Sequence, residues 1–242
     1  SKGWAPDSTV IEFKCGDYFW SHSLNCNQNS FYIYHKGHLA LHSGVYDNYY
    51  RPPEGHDPNY YCQTVSSNSM LIYQPGEIFM PNRKQRTKSF GSQRIPYIGG
   101  STCFTYDEYL SRLDAKKHYE MGEIPAFEHA PDHSWSYVQG DATDAYNNPK
   151  HTDSSAEAKN TPKIDLFQRS VVYLPKAGNN LIVFDRVNSL DASYRKAWLL
   201  HSVAQPQVGG KVIKSEVPGH IEDFDGDTVE ITWAGGVCKP PD

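Results

Sequence analysis

Short alternating runs of apolar and polar residues, closed by Gly, Pro, Asn or Asp, limit this chain's fold more than any other feature. In Val10-Ile11-Glu12-Phe13-Lys14-Cys15, Ile11, Phe13 and Cys15 fall on one side and Glu12 and Lys14 on the other, the period of a strand with one buried face. Ser30 to His35 and His38 to His42 flank Lys36-Gly37, a two-residue connection whose glycine can take positive φ, so the pair reads as a tight hairpin. Further strands fit Ser69 to Tyr73, Ser170 to Leu174, Asn180 to Val187, Ala197 to Val203, Lys211 to Val217 and Thr228 to Trp233. Such spacing predicts an all-β chain, an antiparallel β-sandwich. The period of two assigns inward-facing side chains to Ile11, Phe13, Phe31, Ile33, Leu39, Leu41, Val171, Tyr173, Ile182, Phe184, Trp198 and Leu200.

One short helix is expected within Thr105 to Tyr119, where Tyr106, Tyr109, Leu110 and Leu113 recur at three and four residues and Asp107-Glu108 suits a helix N-terminus. The same stretch also reads as a long insertion between strands. Asn147 to Pro162, polar and without apolar periodicity, is expected to be a mobile surface loop. No composition shift marks a linker, so residues 1–242 are expected to form a single domain.

Composition excludes several functions. The chain carries 23 Lys plus Arg against 28 Asp plus Glu, a net charge of -5, with the basic residues scattered. It therefore lacks the positive stripe that tracks a phosphate backbone, and nucleic acid is not an expected partner. No apolar run approaches the roughly 20 residues that span a bilayer, and the 17 Tyr, 10 Phe and 5 Trp supply side chains for a core. The Tyr/Asn/Ser-rich composition points to an extracellular or periplasmic protein. Ser1-Lys2-Gly3-Trp4 shows neither an initiator Met nor an apolar leader, the start expected of a processed or excised segment. Five cysteines, Cys15, Cys26, Cys62, Cys103 and Cys238, show no CxxC spacing. Their odd number leaves at least one thiol unpaired or paired between chains, and their connectivity stays open.

The densest chemistry lies in Ser21-His22-Ser23-Leu24-Asn25-Cys26-Asn27-Gln28-Asn29-Ser30-Phe31, then Leu41-His42-Ser43-Gly44-Val45-Tyr46, then Thr64-Val65-Ser66-Ser67-Asn68. Downstream follow Asp141 to Tyr146, Gln168 to Leu174 and Val183 to Val187. In this order the segments resemble the C-terminal β-sandwich domain of the heparinase II/III-like polysaccharide lyases, over residues 4–205. In that family a separate N-terminal α/α toroid forms the other wall of the cleft, and nothing in these 242 residues resembles it. The resemblance implies a domain that by itself is non-catalytic and serves saccharide binding or assembly. The alternative is the C-terminal part of a lyase that cleaves uronic-acid-containing polysaccharide by β-elimination.

Elimination needs a base for the C5 proton, neutralisation of the carboxylate and an acid for the leaving oxygen. By resemblance, His22 matches the catalytic His after a one-residue shift, and Tyr46 matches the Tyr after the Gly turn. Asn25, Asn27, Tyr49 and Asn68 are the expected saccharide contacts, for an acidic or neutral polysaccharide; Asn25, Asn27, Gln28, Asn29, Tyr46, Tyr49, Tyr50, Tyr60 and Tyr61 form a polar-aromatic group suited to stacking on sugar rings and bonding their hydroxyls, a composition that also suits a protein–protein interface. The family's metal positions fall on Asn25, His42 and Ser67, a set poor for zinc, so no metal is expected. Two readings of His42 remain, a hydrogen bond within the sheet or a rebuilt site with His22 and Cys26 or Cys62. Asp223, Asp225 and Asp227 surround Gly226 like the start of a calcium loop, but its terminal Glu is missing, so a charged hairpin turn is the expected reading and no cofactor is expected.

Overall fold

The computed structural model describes residues 5, 7–17, 25–45, 56, 60–82, 85–88, 91–94, 106–107, 110–111, 120–148, 160–204, 207–208, 211–212 and 229–230. The chain is all-β and antiparallel. Its strands are β1 (Thr9–Lys14), β2 (Ser30–His35), β3 (His38–Ala40), β4 (Met70–Ile72), β5 (Ile78–Asn82), β6 (Gln85–Lys88), β7 (Glu123–His129), β8 (Ser136–Asp141), β9 (Ile164–Leu174), β10 (Asn180–Ser189), β11 (Lys196–Trp198), β12 (Gln207–Val208), β13 (Lys211–Val212) and β14 (Val229–Glu230). They form sheets in the orders β1-β2-β3, β10-β9-β8-β7, β11-β4, β13-β12-β14 and β5-β6. The helix α1 (Thr143–Asn147) is short, and no helix among the described residues is long and apolar enough to cross a membrane.

In β1 and β2 the alternation behaves as the sequence predicts. Phe13 pairs with Phe31 and Ile11 with Ile33 on the inner face, while Glu12 and Tyr32 share the other. The β2–β3 connection differs from expectation. Tyr34 pairs with His38 across three residues, and Lys36, not Gly37, holds the left-handed conformation at φ 57°. A register shift after Ile33 accounts for the extra residue.

The four-stranded sheet holds both the longest strands and the main correction. Phe167, Arg169 and Val171 of β9 are buried, and β10 pairs with β9 so that Val183 faces Val171 and Asp185 faces Arg169. The odd residues of β10 therefore point inward. Ile182 and Phe184, expected inside, are 51% and 61% exposed. A strand's parity is all or none, and the Arg169–Asp185 ion pair sets it here. Near the start of β9 the rhythm changes from Ile164 to Phe167, because Asn188 pairs with Leu166 and Ser189 with Ile164, leaving Asp165 as the bulged residue. Trp198 and Leu200 are also more exposed than predicted. Trp198 sits at a rim, its ring 5.9 Å from the Arg169 guanidinium and 6.3 Å from Phe31, and Leu200 follows the end of β11, where strand alternation no longer governs it.

An apolar core gathers Cys26, Met70, Ile72, Met121, Ala142, Ala145, Tyr146, Ile164 and Phe167. The Asp141–Tyr146 motif builds the α1 corner beside it: Asp141 Oδ1 accepts from the Thr143 N–H (2.9 Å) and hydroxyl (2.6 Å), and Thr143 Oγ1 accepts from Phe167 N–H at 3.0 Å. The start of the expected 147–162 loop belongs to this structure. Asn147 ends the helix, and its Oδ1 accepts from the N–H groups of Lys163 (2.9 Å) and Ile164 (3.1 Å). Of the expected helix 105–119, Tyr106, Asp107, Leu110 and Ser111 are helical, and the rest lies outside the described residues.

Candidate functional site

The polar segments that carry the family resemblance converge, and most of their hydrogen-bonding capacity is spent on one another. Gln93 behaves like a short strand beside Gln28: its Oε1 accepts from Gln28 N–H at 2.8 Å, and its Nε2 donates to Gln28 C=O at 2.8 Å. Thr64 Oγ1 donates to Cys26 C=O at 2.6 Å and accepts from Gln93 N–H at 2.9 Å. Asn29, at φ 56°, donates through Nδ2 to the carbonyls of Gly140 and Phe167, both at 3.3 Å. Such irregular backbone can be buried only if side chains replace the lost ladder bonds.

Asn68 is wholly enclosed. Its Nδ2 donates to Phe31 C=O (2.8 Å) and Leu41 C=O (3.2 Å), and its Oδ1 accepts from His201 N–H at 2.6 Å. Asn27 is nearly buried, accepting from Lys14 Nζ at 2.6 Å and donating to the Tyr32 hydroxyl at 3.2 Å. Burial lowers the pKa of Lys14, partly offset by nearby Cys26 and Glu12. Asn25 keeps part of its surface in contact with solvent. His22, Tyr46, Tyr49, Tyr50, Asp223, Asp225, Asp227, Cys103 and Cys238 lie outside the described residues.

His42 follows β3 and is hydrogen-bonded outside the strands, to a residue of the 3-10 turn Thr64–Ser66. Its Nε2 meets Ser66 Oγ at 2.9 Å, and its ring lies edge-on to Tyr61 at 4.7 Å. Burial first, then the neighbouring His201, lowers its pKa, and burial likewise lowers that of His201; both are neutral at pH 7. Ser67 Oγ is buried without a hydrogen-bond partner. Asn25, His42 and Ser67 do not fit zinc, since the His42 nitrogen already meets Ser66 and the other two side chains are poor donors to that ion. Among the described residues no group of three His, Cys, Asp or Glu is placed to hold a metal ion. Cys26 and Cys62 are buried neighbours, Cys26 N–H donating to Cys62 C=O at 2.9 Å. Burial pushes the Cys15 thiol up to about 12.

Among the described residues, a corner beyond β3 stays accessible. Gly44, at φ 81°, turns the chain after His42-Ser43. A Cβ there would come within 2.7 Å of His56 Nε2 and 3.1 Å of the Tyr60 ring, so a side chain at this turn would displace the His56 ring, and the φ itself favours glycine. The His56 and Tyr60 rings stack at 5.3 Å, the Tyr60 hydroxyl donates to Ser43 Oγ at 2.8 Å, and His56 Nε2 accepts a long 3.4 Å bond from Val45 N–H. Half-buried Tyr60, Tyr61 and His56 thus offer ring surface beside hydroxyls. Sequence reasoning passed over His56 and His201, which lie in no recognisable motif; the His56-to-Tyr60 spacing of four was the available signal for the first.

No protein-family model matches the chain, and no curated protein matches it.

Proposed function

We propose that this chain is a heparinase II/III-like β domain, extracellular or periplasmic, that binds saccharide without turning it over. The observation that carries this reading is the corner at Gly44, where the stacked His56 and Tyr60 rings stand over Ser43 next to Tyr61. Aromatic faces beside hydroxyl groups suit the alternating apolar faces and hydroxyl edges of a pyranose. By the sequence resemblance, His22, Asn25 and Tyr46 are the residues expected to serve the same saccharide. Catalysis is disfavoured because the imidazoles of His42 and His201 are half-buried and already bonded to Ser66 and Asn68, which leaves elimination resting on the candidates His22 and Tyr46.

The test combines two measurements on the purified chain with a panel of acidic and neutral polysaccharides: absorbance of unsaturated uronide product, and binding by calorimetry. Binding without product, weakened at least about tenfold by Tyr60→Ala, is the expected result for a stacking residue. Product that disappears with His22→Ala or Tyr46→Phe would establish the alternative, the C-terminal part of a lyase. Saccharide binding unaffected by Tyr60→Ala and His56→Ala would remove this corner as the site.

A further inference from the structure

The four-stranded sheet ends in two edges of opposite character. At one edge, β7 carries Pro125, a register shift between Glu123 and Ala126, and the charges of Glu123 and Glu128. These are the devices that stop a sheet edge from recruiting another strand. The other edge, β10, has neither proline nor lysine, runs ten residues, and shifts register only at its last two. Its one described ladder is with β9. Ile182 and Phe184 stand 51% and 61% exposed on the outer face beside it.

We propose that β10 is a homodimer interface, joining antiparallel to β10 of a second copy so that the two four-stranded sheets become continuous. The strand is self-complementary about Phe184. A two-fold axis there sets Phe184 against the partner's Phe184, Ile182 against the aliphatic stem of the partner's Arg186, and Asn180 against the partner's Asn188. On the other face Leu181 meets the partner's Val187, and Val183 meets the partner's Asp185. No like charges oppose each other in this register, and Asp185 is already neutralised by Arg169 at 2.7 Å. An axis at Asp185 would set two carboxylates face to face, and an axis at Val183 would shorten the paired stretch. The partner is thus a second copy of this chain: an isologous contact satisfies the open edge with the chain's own sequence and covers both Ile182–Phe184 patches at once. This inference is independent of the saccharide corner, which lies beyond the three-stranded sheet.

Sedimentation velocity of the purified chain over a concentration series is the test, with Phe184→Lys and Ile182→Lys at the proposed interface and Phe127→Lys at the guarded edge as control. Phe127 is 68% exposed, so a lysine fits there without loss of core. The expected result is a reversible dimer whose dissociation constant rises about tenfold or more in the two β10 variants and is unchanged in Phe127→Lys. Hydrogen exchange on the unmodified chain gives a readout independent of any variant's folding: alternate β10 amides gain protection as concentration rises, and β7 amides do not. A chain that stays monomeric at every soluble concentration, a dimer insensitive to both β10 substitutions, or β10 amides indifferent to concentration would each overturn the proposal.

Discussion

Two buried ionic clusters hold this chain together, and they are balanced differently. Arg169 meets Asp185 in a two-pronged pair, Nε to Oδ1 and Nη2 to Oδ2 both at 2.7 Å, and spends Nη1 on the carbonyls of Asn29 (2.6 Å) and Asn68 (2.7 Å). The rings of Phe31, Phe167 and Trp198 surround its guanidinium at 5.4 to 5.9 Å. One cation meets one anion, and Asp185 keeps 11% of its side chain in solvent. In the second cluster, among the described residues, one carboxylate, Glu77, meets two cations. Arg94 Nε lies 2.5 Å from its Oε1, Lys163 Nζ lies 3.0 Å from both oxygens, and all three side chains are fully enclosed. Thr161 C=O accepts from Arg94 Nη1 and Gln74 Oε1 from Arg94 Nη2, both at 2.7 Å, and Ser92 C=O accepts from Lys163 Nζ at 2.7 Å. Neutral partners solvate the surplus charge there, whereas the first cluster needs them only to position its arginine. The difference shows in Lys163, which burial, reinforced by Arg94, pushes down to about 8 despite Glu77.

Removing the shared anion should have the largest effect. Glu77→Gln leaves two enclosed cations without their carboxylate, and removing one partner of a buried pair typically costs about 3–5 kcal/mol. Asp185→Asn should cost less, since its site touches solvent and Arg169 retains two carbonyls. Urea denaturation of both variants measures the ordering; equal midpoints would show that the surplus charge does not matter.

The clusters also show what the sequence could and could not reveal. β1, β2 and the end of β9, Ser170 to Leu174, are legible because Phe13, Phe31 and Val171 fall on the inner side of an apolar–polar alternation. β10 was not, because its even positions carry the larger apolar side chains, Ile182 and Phe184, while the odd positions include Asp185. Only the buried Arg169 opposite explains why a carboxylate faces inward, and that pairing spans two strands. β7 is not legible because every residue but Ala126 is exposed, and Pro125 and the flanking charges leave no apolar alternation to read. At the candidate site, Asn27 to Asn29 and Asn68 read as saccharide ligands because amides that bond sugar hydroxyls and amides that bond buried carbonyls look alike in sequence. Glu77, Arg94 and Lys163 lie in no motif, and their meeting is purely tertiary.

The next effect separates the clusters by pH. The Lys163 pKa is lowered from 10.5 to about 8, so as pH falls through that window the unfolded chain takes up a proton that the folded chain does not. Stability therefore falls with pH from about 10.5 to about 8 and levels off below. Lys163→Met should abolish this slope. Denaturation midpoints across the window test it, and a slope that survives the substitution would assign the proton uptake elsewhere. A smaller effect of the same sign belongs to His42 and His201, both lowered from 6.5 by burial. Stability should drop as pH falls below 6.5 towards their folded values, and His42→Asn with His201→Asn should flatten that limb.

The smallest effect is expected where the geometry looks the same but water is present. Lys176 Nζ lies 3.0 Å from Asp132 Oδ2, matching Lys163 and Glu77, yet the two side chains are 59% and 64% exposed. The Asp132 carboxyl is held down to about 2, chiefly by the Ser134 hydroxyl and then by Lys176. A lowered carboxylate pKa adds stability above 3.8 that is lost as pH falls through about 2. Solvent and salt screen an exposed pair, and the two side chains lose rotamer freedom in forming it, so little of that stabilisation survives. Asp132→Asn should leave the denaturation midpoint within error at moderate salt, with any difference confined to low ionic strength. A shift comparable to that of Glu77→Gln would mean that distance, not burial and charge balance, sets the worth of an ion pair in this fold.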